Sequence, residues 1–382
     1  MKKNFLFRLS AIAMSLILVA CGGSTSEDVV ENETTAIESE ESLNVVVTTP
    51  MLGEFVKQVA GDSVVLDILM PAEADPHTYD PSPQDAAKIA DADIVLYVGI
   101  KYETSSLLKL IENTASTNAT LLEIGEEIDP IEFIDGERDH GHHDDHDEEG
   151  HDDEDGHDDH DEEEGHDDDK DHDHDDEDGH DDHDEDGHDD HDDEGHEGHE
   201  GHDHGSEDPH FWFDPVRVAM AVEVIKDSLV SLDPANSSTY EANADNFISE
   251  LTDLDAQVKE LIESVSEDNR KIVTTHEALG YLEARYGIEI FATIIPSLST
   301  ADEISPSQIA DVIDVIEDNN IKVLFVESEA PSVYAETVVA EAGITAVTGL
   351  YVETLKDGQT YSDFLISNVT LIVESLNSAG EG

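Results

Sequence analysis

Apolar and polar positions along this chain fall into two similar blocks, separated by a segment of different periodicity and interrupted by stretches with no periodicity. In the first block, apolar runs rich in β-branched residues lie at 43–48, 64–70, 93–98 and 120–124, and segments of helical spacing lie between them at 52–60, 84–90 and 105–112. Strand and helix in alternation predict an α/β unit built on a mainly parallel sheet. The second block repeats the pattern, with strands expected near 271–275, 289–295, 322–326 and 345–347 and helices near 279–286, 306–318, 333–342 and 362–376. The expected fold class is therefore α/β, with two lobes that each carry a mainly parallel sheet flanked by helices.

Between the blocks, Tyr240, Phe247, Leu251, Leu254, Val258 and Leu261 mark one apolar face of a single long helix. A helix over 238–265 is roughly 40 Å long at 1.5 Å per residue, enough to join one lobe to the other as a stiff strut. The domains read as a first lobe at 43–237, a linking helix at 238–266 and a second lobe at 267–382. Helix starts are marked by Ser82-Pro83 with Asp85, by Asp214-Pro215, and by Ser305-Pro306 with Gln308. Each pairs a capping side chain with proline at the first helical position.

Two stretches carry no period. Residues 22–42 are rich in Gly, Ser, Thr and Glu, the composition of a flexible tether. Residues 137–208 hold 41 acidic residues, two basic ones and 18 histidines, with Gly-His-Asp-Asp units that cannot bury a core. This part of the first lobe is expected to be a disordered loop in the absence of metal. Ahead of the tether, Lys2, Lys3 and Arg8 precede an apolar run at 9–20 that is too short to span a bilayer. Residues 1–20 read as an export signal, and Leu18-Val19-Ala20-Cys21 reads as a lipobox that leaves a lipidated Cys21 at the membrane. The protein is thus expected outside the cytoplasm, lipid-anchored or periplasmic. Cys21 is the only cysteine, which excludes an intramolecular disulfide and a thiolate metal site.

The net charge of −79 excludes ordinary nucleic-acid binding, because a phosphate backbone is repelled. The loop accounts for −39 of it, so the patterned remainder still carries −40. Such a surface favours solubility and a monomer at the cost of self-repulsion, and a salty habitat is one reading of it.

Of 21 histidines only His77, His210 and His276 lie outside the loop. His77 stands in Asp75-Pro76-His77-Thr78-Tyr79-Asp80-Pro81 and His210 in Asp208-Pro209-His210-Phe211-Trp212-Phe213-Asp214-Pro215, so Asp-Pro-His followed by Asp-Pro occurs twice. Proline fixes its own φ and extends the residue before it, so both histidines are presented from stiffened loops. His276 ends the run Ile272-Val273-Thr274-Thr275, at the C-terminal end of a parallel strand where open α/β sheets bind ligands. Neutral imidazoles suit Zn²⁺, and three of them leave one position of a tetrahedron for another ligand. A Mn²⁺ site is expected to use more carboxylate; copper and nickel stay open.

The chain resembles the zinc-type solute-binding proteins of bacterial ABC importers for divalent metals. The resemblance rests on the residues at 75–83 and 208–215, on Thr275-His276-Glu277-Ala278, and on Tyr281 with Arg285-Tyr286-Gly287. It implies that the three histidines bind Zn²⁺, as transported ligand, together with a carboxylate from the second lobe. Many relatives have aspartate there; the matching stretch Leu350-Tyr351-Val352-Glu353-Thr354-Leu355 offers Glu353. It also implies delivery to the permease of an ABC importer, with the histidine-rich loop as a metal collector. A metalloenzyme is the rival class, but His276-Glu277 is followed by Gly280 where an HExxH motif needs histidine, and no Gly-x-Ser-x-Gly elbow is present. Two further readings stay open at this point. One is a surface lipoprotein that stores metal or mediates adhesion, and the second is an importer subunit for Mn²⁺ or another divalent metal.

Overall fold

The computed structural model describes residues 42–133, 207–330 and 333–380. The signal segment, Cys21, the tether up to residue 41 and all but the last two residues of the acidic loop lie outside the described residues.

In the first lobe the chain runs through β1 (Leu43–Val47), α1 (Pro50–Ala60), β2 (Val64–Ile68), α2 (Pro83–Ala90), β3 (Ile94–Tyr97), α3 (Ser105–Thr114) and β4 (Thr120–Glu123). Beyond the acidic insertion follow a short 3-10 turn at Phe211–Phe213, α4 (Pro215–Leu232) and α5 (Ser237–Glu263). The second lobe consists of β5 (Lys271–His276), α6 (Gly280–Tyr286), β6 (Glu289–Ile295), α7 (Pro306–Asp318), β7 (Val323–Glu327), α8 (Val333–Ala342), β8 (Thr345–Leu350) and α9 (Tyr361–Gly380). The strands form two all-parallel sheets with the same order, β2-β1-β3-β4 and β6-β5-β7-β8.

The capping signals act where the sequence places them. Ser82 and Ser305 each form a complete capping box with the side chain three residues on, and Asp214 accepts the amide of Val216. These caps fix where each helix starts, and therefore where the preceding loop ends.

Helix α5 buries Tyr240, Ala244, Phe247, Leu251, Leu254, Val258 and Ile262 against α1, α4 and α9. Its last core position is Ile262 rather than Leu261, because a step of four from Val258 keeps the stripe on the face that points inward. Each buried Phe, Leu, Val or Ile side chain among them contributes about 1.5–3 kcal/mol over its exposed state. Asp255, on the same helix, accepts Arg285 Nη2 at 2.7 Å and the Tyr286 hydroxyl at 2.7 Å. Arg285 Nε also lies 3.1 Å from Asp214 Oδ1, so α5, α6 and the start of α4 are joined by one ionic knot.

One apolar core runs through both lobes, from Val45 and Phe55 across Phe211, Trp212 and Leu251 to Phe325 and Leu376. Smaller clusters fill the outer faces of the two sheets. The lobes are consequently packed on each other along their seam. The ends of the acidic insertion meet there too: Glu132 and Glu207 form an antiparallel bridge, and Asp208 N donates to Ile131 O at 2.9 Å. Closing a long insertion costs little more than closing a short one, so the lobe can carry it without loss of its own packing.

Candidate metal centre

In both sheets the C-terminal strand ends face the seam, and the side chains singled out from the sequence arrive there by four routes. His77 lies in the loop between β2 and α2, and His210 immediately precedes the Phe211–Phe213 turn. His276 is the last residue of β5, and Glu353 follows β8 by three residues. β5 is flanked by β6 on one side and β7 on the other, so His276 sits at the point where strand order reverses, the usual ligand crevice of such sheets.

One donor atom from each of His77, His210, His276 and Glu353 lies within 4.8 Å of every other. Glu353 Oε1 is 3.4 Å from His77 Nε2, 3.4 Å from His210 Nε2 and 2.7 Å from His276 Nε2. The His77 side chain is 3% exposed and the other three are fully buried. None of the three Nε2 atoms and neither oxygen of Glu353 is aligned in a hydrogen bond with a protein partner. Buried polar atoms are nearly always paired, so five such atoms gathered in one cluster make this a candidate cation site.

The opposite edges of two rings are held. His210 Nδ1 lies 2.8 Å from Asp208 Oδ1, which also accepts the His210 amide at 2.8 Å. His276 Nδ1 is bonded to Glu327 Oε2, while Glu327 Oε1 accepts the amides of Thr275 at 3.2 Å and His276 at 3.1 Å. A carboxylate on Nδ1 fixes the tautomer that turns the Nε2 lone pair toward a metal and raises its basicity. His77 is held differently: Asp75 Oδ1 accepts its amide at 2.9 Å, and Asp75 Oδ2 accepts the Thr300 hydroxyl of the other lobe at 2.7 Å.

Electrostatics follow from this arrangement. Burial opposes the charge on His210, but the carboxylates of Glu353 and Asp208 outweigh it and push its pKa up to about 9. Burial is likewise outweighed at His276, where Glu327 and Glu353 raise the pKa well above the usual value. Glu353 in turn is held well below the carboxylate range, because His210 and His77 overcome the cost of its burial. Glu329, buried nearby and facing Glu353, is pushed up to about 8 by burial first and by that neighbour second. In the metal-free protein the centre therefore holds protons that an incoming cation must displace.

All four residues expected to ligate are brought together. Sequence reasoning missed Glu327 and Tyr102 among the outer groups, and had Trp212 only as part of the motif at 208–215, with no role. Glu327 could have been found as an acid ending the strand expected at 322–326; Tyr102 carries no such signal.

Two parallel-sheet lobes meeting at a buried cluster of three imidazoles and a carboxylate define a two-lobed protein with a candidate metal centre, and the family match makes it a solute-binding protein. The chain belongs to the family described as zinc-uptake complex component A, periplasmic, whose sequence model matches residues 45–375. Among curated relatives, it is 24% identical over 381 residues to the manganese-binding lipoprotein MntA of Halalkalibacterium halodurans, covering 98% of this chain and 99% of that one. It is 24% identical over 384 residues to the iron ABC transporter substrate-binding lipoprotein MtsA of Streptococcus pyogenes, covering 98% and 99%. Among solved structures, the periplasmic zinc-binding protein TroA of Treponema pallidum matches with a TM-score of 0.65 at 20% identity, over 87% of this chain and 98% of that one. The Mn-bound periplasmic metal-binding protein of Candidatus Liberibacter asiaticus matches with a TM-score of 0.62 at 22% identity, over 87% and 98%. The protein is thus an extracytoplasmic solute-binding component of metal uptake.

Proposed function

We propose that the protein captures Zn²⁺ with Nε2 of His77, His210 and His276 and a carboxylate oxygen of Glu353, and passes it to the permease of an ABC importer. A lipid on Cys21 tethers it to the membrane, it acts as a monomer, and the histidine-rich loop gathers cations at many weak sites beside the one tight centre. The observation that carries this reading is the set of five buried, unpartnered donor atoms converging from both lobes. Binding from two lobes ties occupancy to the closed seam, which is the property a permease can sense. Three imidazoles against one carboxylate favour zinc over a harder ion.

Manganese is the second reading, favoured by one observation: neither oxygen of Glu353 is held in an aligned hydrogen bond, so a bidentate carboxylate would bring the donors to five. X-ray absorption on full-length protein, loaded with one equivalent of metal after a chelator has stripped the weak sites, separates the two. The expected zinc shell has four ligands with Zn–N near 2.0–2.1 Å. Native purification yielding one tightly held Mn²⁺ in a five- or six-coordinate, oxygen-richer shell would overturn the assignment to zinc. A single class of weak sites with no tight one would instead favour the storage or adhesive lipoprotein.

A further inference from the structure

The segment that carries Glu353 is gripped from the opposite lobe at two successive carbonyls. The Tyr102 hydroxyl donates to Glu353 O at 3.0 Å, and Trp212 Nε1 donates to Val352 O at 2.7 Å. In return, the Tyr361 hydroxyl of α9 donates to Trp212 O at 2.8 Å. Since the Glu353 carboxylate faces only the three imidazoles and no other side chain holds it in an aligned hydrogen bond, its aim depends on the backbone from which it projects.

Tyr102 reaches that backbone by a costly route. Gly99, Ile100 and Lys101 follow one another with φ of 78°, 51° and 60°, all left-handed. For β-branched Ile100 this conformation costs of order 1–3 kcal/mol and persists only where its surroundings enforce it. Two carboxylates do so. Glu103 accepts the amides of Val98 at 2.8 Å and Gly99 at 2.9 Å together with the Thr48 hydroxyl at 2.7 Å, and Glu123 accepts the amide of Ile100 at 2.9 Å. A side chain on Gly99 would place its Cβ 1.9 Å from Glu123 Oε1, so the turn admits only glycine there. The outcome is a tyrosine 1% exposed, with its ring edge-on to His77 at 5.2 Å and to His210 at 5.9 Å, and its hydroxyl on the backbone of the fourth donor.

We propose that Tyr102 is a positioning residue for metal capture: its hydroxyl pins the Glu353 backbone across the seam, holds the carboxylate at the metal and so sets how long the metal stays. This rests on Glu353 being a ligand. The ring packs on the histidines in any case, so the hydroxyl alone carries the effect, and Tyr102→Phe removes only that group.

The test measures Zn²⁺ dissociation from full-length protein into excess chelator for the wild type, Tyr102→Phe, Glu353→Gln and the double variant. Loss of one buried hydrogen bond predicts dissociation about tenfold faster in Tyr102→Phe, with equilibrium affinity weakened to match. Because the hydroxyl acts through Glu353, adding Tyr102→Phe to Glu353→Gln should change the rate by less than about twofold. An equal acceleration in both backgrounds, or none in the wild type, overturns the proposal while leaving the ligand set intact. A Glu353→Gln variant that holds zinc as tightly as the wild type removes Glu353 from the ligands, and this inference falls with it.

Discussion

The two Asp-Pro-His loops share a motif and use it for different ends. In the second, Asp208 puts one oxygen on both the amide and the ring of His210, and the ring packs edge-on against Tyr102 and Trp212 at centroid distances of 5.9 and 5.5 Å. In the first, Asp75 binds only the amide of His77 and gives its other oxygen to Thr300 in the opposite lobe. The same tripeptide thus serves once to orient an imidazole and once to pin a loop across the seam. The carboxylate partner, rather than the motif, decides which. The sharpest way to break this comparison is to delete the rings. Both His210→Ala and His77→Ala should weaken Zn²⁺ binding by more than the 10–100-fold typical of an outer-shell loss. Only His210→Ala also takes the ring from a buried carboxylate, leaving Asp208, at 3% exposure, with the backbone amide of residue 210, and should cost about 1–3 kcal/mol of metal-free stability in denaturant unfolding. Equal losses of affinity and of stability in the two variants would erase the distinction.

A smaller effect, with a sign that depends on pH, is expected from Asp208→Asn. With His210 pushed up to about 9, protons compete with metal below that pH, and each proton displaced weakens binding about tenfold per pH unit as pH falls. Removing the Asp208 charge lowers this pKa toward its ordinary value and loosens the ring. Affinity should therefore drop about tenfold at pH 9, at the lower end of outer-shell effects, and the deficit should shrink toward pH 7 as fewer protons must leave. The metal-free fold gives a second readout. A raised histidine pKa contributes stability that is complete below its unfolded value near 6.5 and is lost as pH rises through about 9, so the wild type should weaken over that interval and Asp208→Asn less so. Glu353 has the opposite sign, its contribution being lost as pH falls below the usual carboxylate range. Chelator competition and denaturant unfolding from pH 6 to 9.5 check both; a deficit that grows toward pH 7 would contradict the role given to Asp208.

The sequence carries the strands, the helix starts and the four donors in the centre, because each leaves a local trace. Apolar runs mark β1 to β8, a serine or aspartate before proline marks α2, α4 and α7, and three histidines stand alone in the sequence outside the acidic loop. Glu353 came only by resemblance, and the structure supplies what spacing could not: its oxygen lies within reach of all three imidazoles. The supporting groups were invisible for a physical reason. Glu327 meets His276 over 51 residues, Trp212 meets Val352 over 140 and Tyr102 meets Glu353 over 251. The first pairing exists only once β5 and β7 lie side by side in one sheet, and the other two only once the lobes have packed, so no window along the chain contains them. The shared core is a second example: two blocks of alternating strand and helix predict two lobes, yet the buried faces of α1, α4, α5 and α9 merge into one interior.

The least disruptive way to sharpen the comparison is Thr300→Val, which keeps the shape of the side chain and removes the hydroxyl bonded to Asp75. One neutral donor to a charged acceptor is worth about 1.5 kcal/mol, so Zn²⁺ affinity should fall by roughly tenfold at most. The effect should be confined to the His77 side: Asp75 keeps the His77 amide, but its loop loses the anchor to the second lobe. Amide hydrogen exchange is then expected to quicken near residues 74–78 and to stay unchanged at the turn after His210, where Asp208 and Tyr281 are untouched. Faster exchange on both loops would mean that Thr300 stabilises the seam as a whole, and that the division of labour between Asp75 and Asp208 is not real.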